Sequence, residues 1–328
     1  MGTTSTTFAA YLQKVYNPKL LETVKNILVL DQFALQKGLQ PNSSSKQLSF
    51  RRRNEADLSA PGAPGALTEG VAPTIDRDVS YTEVVVTLAQ RGAISKTTDV
   101  VTATELLEVV KDTVALLGEE CALDADRIIA TQLSDATTGL KKRYAGGATT
   151  FAGLVALTNN QGRLSPTDLI GAMTQLRAKK APTIGGVYVA VLPPQVEYDI
   201  LNHPDWKDII KYQNADRMFK GEIGNFAGMR LVRHTNPFIE ANTGGTEGTY
   251  SASGAIFVVH VLGKDAYGIC DMAKLGGFKP KVEILDQADK SDPLNQKTII
   301  GWKSYWGSTV LNRDFGVNVR CKSEFVLV

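Results

Sequence analysis

The sequence lacks a strong charge of either sign. Its 328 residues include 36 Lys and Arg against 34 Asp and Glu, a formal net charge of +2. Tight, salt-sensitive DNA binding depends on concentrated positive charge that neutralises many phosphates. The balance therefore excludes strong DNA binding by the chain as a whole, and any contact with nucleic acid is predicted to be weak or local.

Cysteine and long apolar runs are also scarce. Cys121, Cys270 and Cys321 are far apart and odd in number, which argues against a disulfide framework and favours a reducing compartment. We expect them to be small buried hydrophobic residues. No apolar run approaches the ~18 residues that span a bilayer, and the N-terminus lacks the pattern of a signal peptide. No membrane partner is predicted.

The chain has none of the short motifs of phosphate-loop, dinucleotide-binding, zinc-protease or esterase sites. Its histidines are dispersed, without a second ligand at metal-binding spacing: His203, His234 and His260. Asp124 and Asp126 do not continue into a calcium loop, so we expect them on solvated faces. We predict no catalytic, cofactor-binding or metal-binding residue and no enzymatic activity.

One alternative is a hydrolase or sugar-binding enzyme that uses the aromatic residues near the C-terminus. Trp302 and Trp306 would share one face of a strand, with Tyr305 on the other. This arrangement fits a sugar platform, but core packing explains it equally well.

Two segments show the alternation of β-strands. Residues 47–53 place Leu48, Phe50 and Arg52 on one face, with Arg51 and Arg53 on the other. A second strand begins near residue 81, and the two could pair as a hairpin. The arginines could contact nucleic acid, but the acidic residues that follow favour pairing with carboxylates: Glu55, Asp57 and Glu69.

The roughly 26 residues between these strands form a long loop rich in proline and glycine. Ordering them costs on the order of 26 to 50 kcal/mol of backbone entropy. Offsetting even the lower figure requires roughly 1,000 Å2 of apolar burial, at ~25 cal/mol per Å2. The loop is therefore either mobile or lies on another protein, because the required area is that of a protein–protein interface.

The rest of the chain mixes helices and strands. Helical spacing is seen over residues 8–37, and an amphipathic helix is predicted from Thr102 or Thr104 to about Asp135. Residues 139–154 read as a loop. Ser165 is predicted to cap a helix with Asp168, and strands are expected near residues 187–192, 228–232, 255–262 and 315–321. This mixture predicts an α+β fold.

Several phrases, in this order and spacing, resemble major capsid proteins of tailed bacteriophages, typified by that of phage N-four. They are DQFA (31–34), SFRR (49–52), LTEG (67–70), GEIGNFAGMRLV (221–232), SDPLNQ (291–296) and GWK (301–303). The resemblance covers nearly the whole chain and implies the Hong Kong 97-type fold. It implies an N-terminal arm (1–45), an extended loop (46–94), a peripheral domain (95–184) with a spine helix (about 102–135), an axial domain (185–262), and C-terminal strands that return to the peripheral domain (263–328).

The resemblance also implies a structural function. Copies would assemble into hexamers and pentamers, and these would form an icosahedral head shell. The shell would enclose double-stranded DNA and contact that DNA only weakly. A portal protein is a further implied partner, whereas the sequence leaves open the need for separate scaffolding or decoration proteins. The implied location is the virion, after assembly in the host cytoplasm. Residues expected at subunit contacts are Arg51, Arg53, Glu55, Leu67 and Glu69. An encapsulin-like shell around protein cargo is the alternative within this fold.

Overall fold

The computed structural model describes residues 28–38, 46–54, 69–71, 79–104, 109–206, 225–242, 246–251, 255–272, 278, 280–285 and 293–325. Its strands are β1 Leu35–Gly38, β2 Gln47–Arg53, β3 Tyr81–Thr87, β4 Ala89–Thr98, β5 Lys141–Tyr144, β6 Tyr188–Leu192, β7 Asn225–Phe226, β8 Met229–Arg233, β9 Ile239–Glu240, β10 Ile256–Leu262, β11 Tyr267–Asp271, β12 Lys281–Leu285, β13 Lys297–Val310 and β14 Gly316–Lys322. Its α-helices are α1 Asp99–Thr104, α2 Val109–Ser134, α3 Phe151–Ala156, α4 Pro166–Ala178 and α5 Pro194–Asn202. No helix in these ranges is long and apolar enough to cross a membrane.

The predicted hairpin is confirmed. Strands β2 and β3 form a two-stranded antiparallel sheet in which Gln47 lies opposite Thr87 and Arg53 lies opposite Tyr81. Exposure alternates along both strands, as the sequence pattern predicts. The hairpin therefore has one face toward the protein and one face outward.

A second sheet has five strands. Its order is β1-β11-β13-β12, and β4 also pairs with β13, which is 14 residues long. The side chains Ile300 and Trp302 of β13 pack with Val114, Leu117 and Cys121 of α2. This sheet thus lies against the N-terminal half of α2.

A seven-stranded sheet has the order β5-β14-β10-β6-β8-β7, with β9 paired to β10. Helices α4 and α5 cover one face through a cluster that includes Leu169, Leu176 and Ile200. The C-terminal half of α2 covers the other face through Ile129 and Leu133. Because both faces are covered, every residue of β10 and β14 is buried.

Helix α2 connects the two sheets. At ~1.5 Å per residue its 26 residues are about 39 Å long. It continues through Gly118 and ends at Ser134, next to the predicted Asp135. The described part confirms the predicted long helix, while residues 105–108 lie outside the described residues.

Two predicted elements are wrong. The helix expected over residues 8–37 is replaced at its end by a 3-10 turn, Leu30–Phe33, and by β1, because β1 pairs in parallel with β11. Residues 1–27 lie outside the described part. The loop expected over residues 139–154 contains β5, which pairs with β14, and α3, which Thr150 caps through the N–H of Gly153.

The predicted capping of α4 is confirmed. The Ser165 side chain accepts from the Asp168 N–H, and the Asp168 carboxylate accepts from the Ser165 N–H. The domain boundaries stay a prediction. The sheet order places β5 and β14, from the predicted peripheral and C-terminal segments, beside β10 and β6 of the predicted axial segment.

Candidate subunit interface

The outer face of the β2–β3 hairpin combines positive charge with exposed apolar surface. Arg51 and Arg53 are exposed on β2, as the alternation predicts. On β3, Tyr81 is 63% exposed and Val85 is 47% exposed. Arg51 lies opposite Glu83 in the register, yet within the described part of the chain neither arginine has a carboxylate partner. No carboxylate of the described residues therefore occupies either guanidinium group.

The inner face fixes the base of the hairpin to the body of the protein. Leu48 and Phe50 pack against a buried cluster that includes Cys270, Met272 and Tyr305. At the other end, Asn54 donates to the Ser80 hydroxyl and accepts from the Thr82 hydroxyl. The outer face is thus presented on an ordered support.

The other residues predicted at subunit contacts are only partly described. Glu69 is exposed in a turn with Gly70, whose φ of +79° belongs to the left-handed region that favours glycine. No ion pair joins Glu69 to Arg51 or Arg53 among the described residues. Glu55 and Leu67 lie outside the described residues.

A groove lies between α2 and β4, with a volume of about 770 Å3. From α2 it is lined by Leu116, Glu119, Glu120, Leu123, Asp124 and Arg127, and from β4 by residues 90–93. Leu116 is 64% exposed and Leu123 is 41% exposed. These leucines point away from the stripe that α2 buries, so an apolar surface remains available on this face.

The charged groups of the groove are not equally available. Aromatic rings hold both arginines: the Arg127 guanidinium lies 4.0 Å from the centre of the Tyr250 ring, and that of Arg91 lies 5.8 Å from Trp306. In the described part of the chain no cation pairs with Glu119, Glu120 or Asp124. The groove therefore offers three carboxylates and two leucines to a partner.

The expectation that Asp124 and Asp126 both lie on solvated faces is wrong for Asp126. It is completely buried, and its carboxylate accepts from the N–H groups of Val29 (3.3 Å) and Leu30 (3.2 Å). His234 Nε2 lies 2.9 Å from the same carboxylate. Burial and the charge of Asp126 raise the pKa of Asp31 in the segment held there. Asp126 thus fixes the chain that enters β1 to helix α2.

Sequence reasoning also missed a buried ionic cluster. Arg320 of β14 and Glu240 of β9 are both fully buried, with Arg320 Nε 3.0 Å from a carboxylate oxygen of Glu240. Glu247 contacts Lys142 and the Tyr144 hydroxyl, both at 2.8 Å. Burial opposes ionisation of Glu247, but these hydrogen bonds and the charge of Arg320 lower its pKa overall. The partners come from distant strands, so no local pattern could have identified the cluster.

The candidate aromatic platform is part of the core. Trp302, Tyr305 and Trp306 are each less than a tenth exposed, and Trp306 packs edge-on against Phe278 at 5.1 Å. The three cysteines are buried and free, as expected. Burial raises the pKa of the Cys121 thiol to about 12. Within the described ranges no group of three His, Cys, Asp or Glu could hold a metal ion.

Comparison with known proteins gives consistent matches. A family model described as "Phage capsid protein" matches residues 81–319. The capsid of cyanophage P-SCSP1u is 17% identical, with 90% of this chain and 89% of that chain covered and a TM-score of 0.64. The capsid of Ralstonia phage GP4 is 16% identical, with 90% and 88% covered and the same TM-score of 0.64. That of cyanophage Pam1 is 15% identical, with 88% of each chain covered and a TM-score of 0.63. No curated protein sequence matches the chain.

Proposed function

Because this chain belongs to the phage capsid protein family, we propose that many copies of it assemble into the closed head shell of a tailed phage. The family match over residues 81–319 carries the proposal. The likeness to solved capsids over 90% of the chain confirms the predicted α+β fold of the Hong Kong 97 type. A shell around protein cargo is less well supported, since the matching family is that of phage capsids.

The finer parts of the proposal follow from this role. Hexamers and pentamers of the chain form an icosahedral shell that encloses double-stranded DNA, in a virion assembled in the host cytoplasm. A portal protein is its further partner. Its role is structural rather than enzymatic, and the burial of the Trp302 and Trp306 rings supports this.

The hairpin is the proposed contact between subunits. A two-stranded sheet is marginally stable by itself in water. This one carries Tyr81 and Val85 exposed beside Arg51 and Arg53, which have no carboxylate partner among the residues that the structure describes. Covering these side chains with a second copy would bury the aromatic ring and supply carboxylates to the arginines. The hairpin base, packed on the body near Met272, would hold it in position.

The groove between α2 and β4 is the proposed receiving surface on the neighbouring copy. Its carboxylates Glu119, Glu120 and Asp124, which no cation of the described residues pairs with, are opposite in charge to the hairpin arginines. Leu116 and Leu123 would cover the apolar side chains of β3. The hairpin face has a net positive charge, two arginines against Glu83, beside its apolar side chains. The groove is acidic and apolar, so the charges of the two surfaces are complementary.

Electron microscopy of the purified full-length chain tests the proposed function. We expect rings, sheets or closed shells to form as protein concentration and salt are varied. A uniform small particle under all conditions would overturn the proposal. Packaged DNA in particles recovered from infected cells would support a phage head, and an enzyme cargo in its place would contradict it.

A further inference from the structure

Residues 136–196 carry charge of almost one sign. Seven Lys and Arg lie in this segment against a single carboxylate, Asp168. Asp168 is buried, and its carboxylate accepts from the N–H and the hydroxyl of Ser165 at the start of α4. A chain that is nearly neutral as a whole therefore contains a strongly basic segment.

Only some of these cations are paired within the protein. Carboxylates lie close to four of them: Lys141–Asp314 at 3.4 Å, Lys142–Glu247 at 2.8 Å, Arg143–Asp168 at 3.9 Å and Arg163–Glu324 at 3.0 Å. Lys179 and Lys180, at the end of α4, are exposed and have no carboxylate partner in the described part of the chain. Their charge is not used to stabilise the described fold.

The topology of the seven-stranded sheet brings further cations to the same end. Strand β5 begins at Lys141 opposite Val317, and β14 begins opposite the last residue of β10. Lys264 is the second residue after β10, and its N–H donates to the Pro182 carbonyl just beyond Lys179 and Lys180. Arg313 lies three residues before β14, in the turn Arg313–Phe315. We call this surface the basic end, defined by Lys141, Lys179, Lys180, Lys264 and Arg313, which are all exposed.

The carboxylates at the basic end leave a positive excess. Asp314 lies near Lys141, Asp265 directly follows Lys264 in the chain, and Asp135 accepts from the N–H groups of Thr137 and Thr138 at 2.8 and 2.6 Å. Three carboxylates thus face five cations. Beside them is a cleft of about 330 Å3 with Lys141, Lys142 and Lys179 in its wall. Lys264, like Lys179 and Lys180, has no carboxylate partner among the described residues. An anion entering here would meet several ammonium groups.

We propose that the basic end binds the phosphates of double-stranded DNA without reading its sequence. Lysine ammonium groups bind phosphate as point charges, and phosphate contacts carry no sequence information. A few such contacts give weak binding, and the affinity falls as the salt concentration rises. Weak binding of this kind is compatible with a shell wall that encloses DNA. The choice of DNA over another polyanion rests on the proposed capsid function.

The test is the affinity of the unassembled full-length chain for a labelled DNA duplex, measured by fluorescence anisotropy over a series of salt concentrations. The test variant is Lys179→Gln with Lys180→Gln and Lys264→Gln. The control removes the same charge from exposed lysines of the five-stranded sheet: Lys37→Gln with Lys96→Gln and Lys297→Gln. At about 0.9 per phosphate contact, we expect the slope of log K against log salt to become shallower by about 2.7 in the test variant and by less than about 1 in the control.

Three results would overturn the proposal. They are no DNA binding by the natural chain, an equal effect of both triple variants, and a poly-glutamate chain binding the basic end more tightly than DNA. Shell formation is scored separately by electron microscopy. Shells without DNA binding defeat only this inference, whereas DNA binding without shells defeats the proposed function.

Discussion

At the scale of single residues, His260 shows how burial decides protonation. It is buried in β10, and its Nδ1 lies 2.8 Å from Asn318 Oδ1, while Asn318 Nδ2 donates to the Leu133 carbonyl at 2.7 Å. Because the amide nitrogen is already donating, Oδ1 is the acceptor and the imidazole carries its proton on Nδ1. Burial, together with the charges of His234 and Arg320, lowers the pKa of His260 to about 4.

This shift predicts a pH-dependent stability. Between pH ~6.5 and ~4 the unfolded chain takes up a proton on His260 that the folded chain does not, so stability falls as pH falls through this window. The loss at its lower end is on the order of 3 kcal/mol. In His260→Gln this loss should be absent, so urea unfolding at pH 7 and pH 4.5 should show a weaker pH dependence than in the natural chain. His203→Gln, outside the core, is the control, and an unchanged pH dependence in His260→Gln would contradict the assignment.

At the scale of elements, Asp126 and Asp124 form a matched pair on α2. Residues two positions apart on an α-helix are rotated by about 200° relative to one another. The Asp126 carboxylate therefore faces the core, and the Asp124 carboxylate faces the groove. Asp126→Ala would leave the buried N–H group of Leu30 without an acceptor, at about 1 to 3 kcal/mol, and would also remove the acceptor of the half-buried Val29 N–H. We expect faster amide exchange at residues 28–34 in this variant, measured by hydrogen exchange with mass spectrometry.

Asp124→Ala is the control for this prediction, because Asp124 makes no such hydrogen bond to the segment in the described structure. It should leave exchange at residues 28–34 unchanged. If the amides of residues 28–34 exchange equally slowly in Asp126→Ala and Asp124→Ala, then apolar contacts of Leu28 and Leu30, rather than the Asp126 carboxylate, hold the segment.

The elements differ in how far the sequence could predict them. Periodic patterns identified α2, the β2–β3 hairpin and the capped start of α4, because those signals are local. The burial of Asp126 depends on His234, 108 residues away, and the burial of Arg320 depends on Glu240 on another strand. Strand β5 escaped prediction because its sequence, KKRY, carries no apolar alternation, and its pairing with β14 is a tertiary contact.

At the scale of the whole molecule, the arginines of the hairpin and the carboxylates of the groove predict a charge-swap result. Arg51→Glu with Arg53→Glu should impair assembly, because like charges would face one another across the interface. Glu119→Arg with Glu120→Arg should impair it for the same reason. A chain with all four changes restores opposite charges between copies, so electron microscopy should again show shells.

The isolated subunit should stay folded in each variant, since these side chains are exposed; circular dichroism checks this. Lys96→Glu with Lys297→Glu is the control for charge reversal elsewhere and should assemble normally. Normal shells from the hairpin variant would refute the contact role of Arg51 and Arg53. Failure of the fourfold variant to recover would place their partner outside the groove.

The connection between hairpin and body has a mechanical consequence. Only Leu88 separates β3 from β4, and β4 pairs with β13 over ten consecutive positions, from Ala89 opposite Trp306 to Thr98 opposite Lys297. In the proposed shell, DNA pressing outward puts neighbouring copies under tension, and a hairpin held by a neighbour pulls β4 along its own axis. The hydrogen bonds of this ladder lie across that pull and are loaded together in shear rather than opened one at a time. The longest strand pairing in the described structure therefore lies where a stretched wall would need its greatest tensile strength.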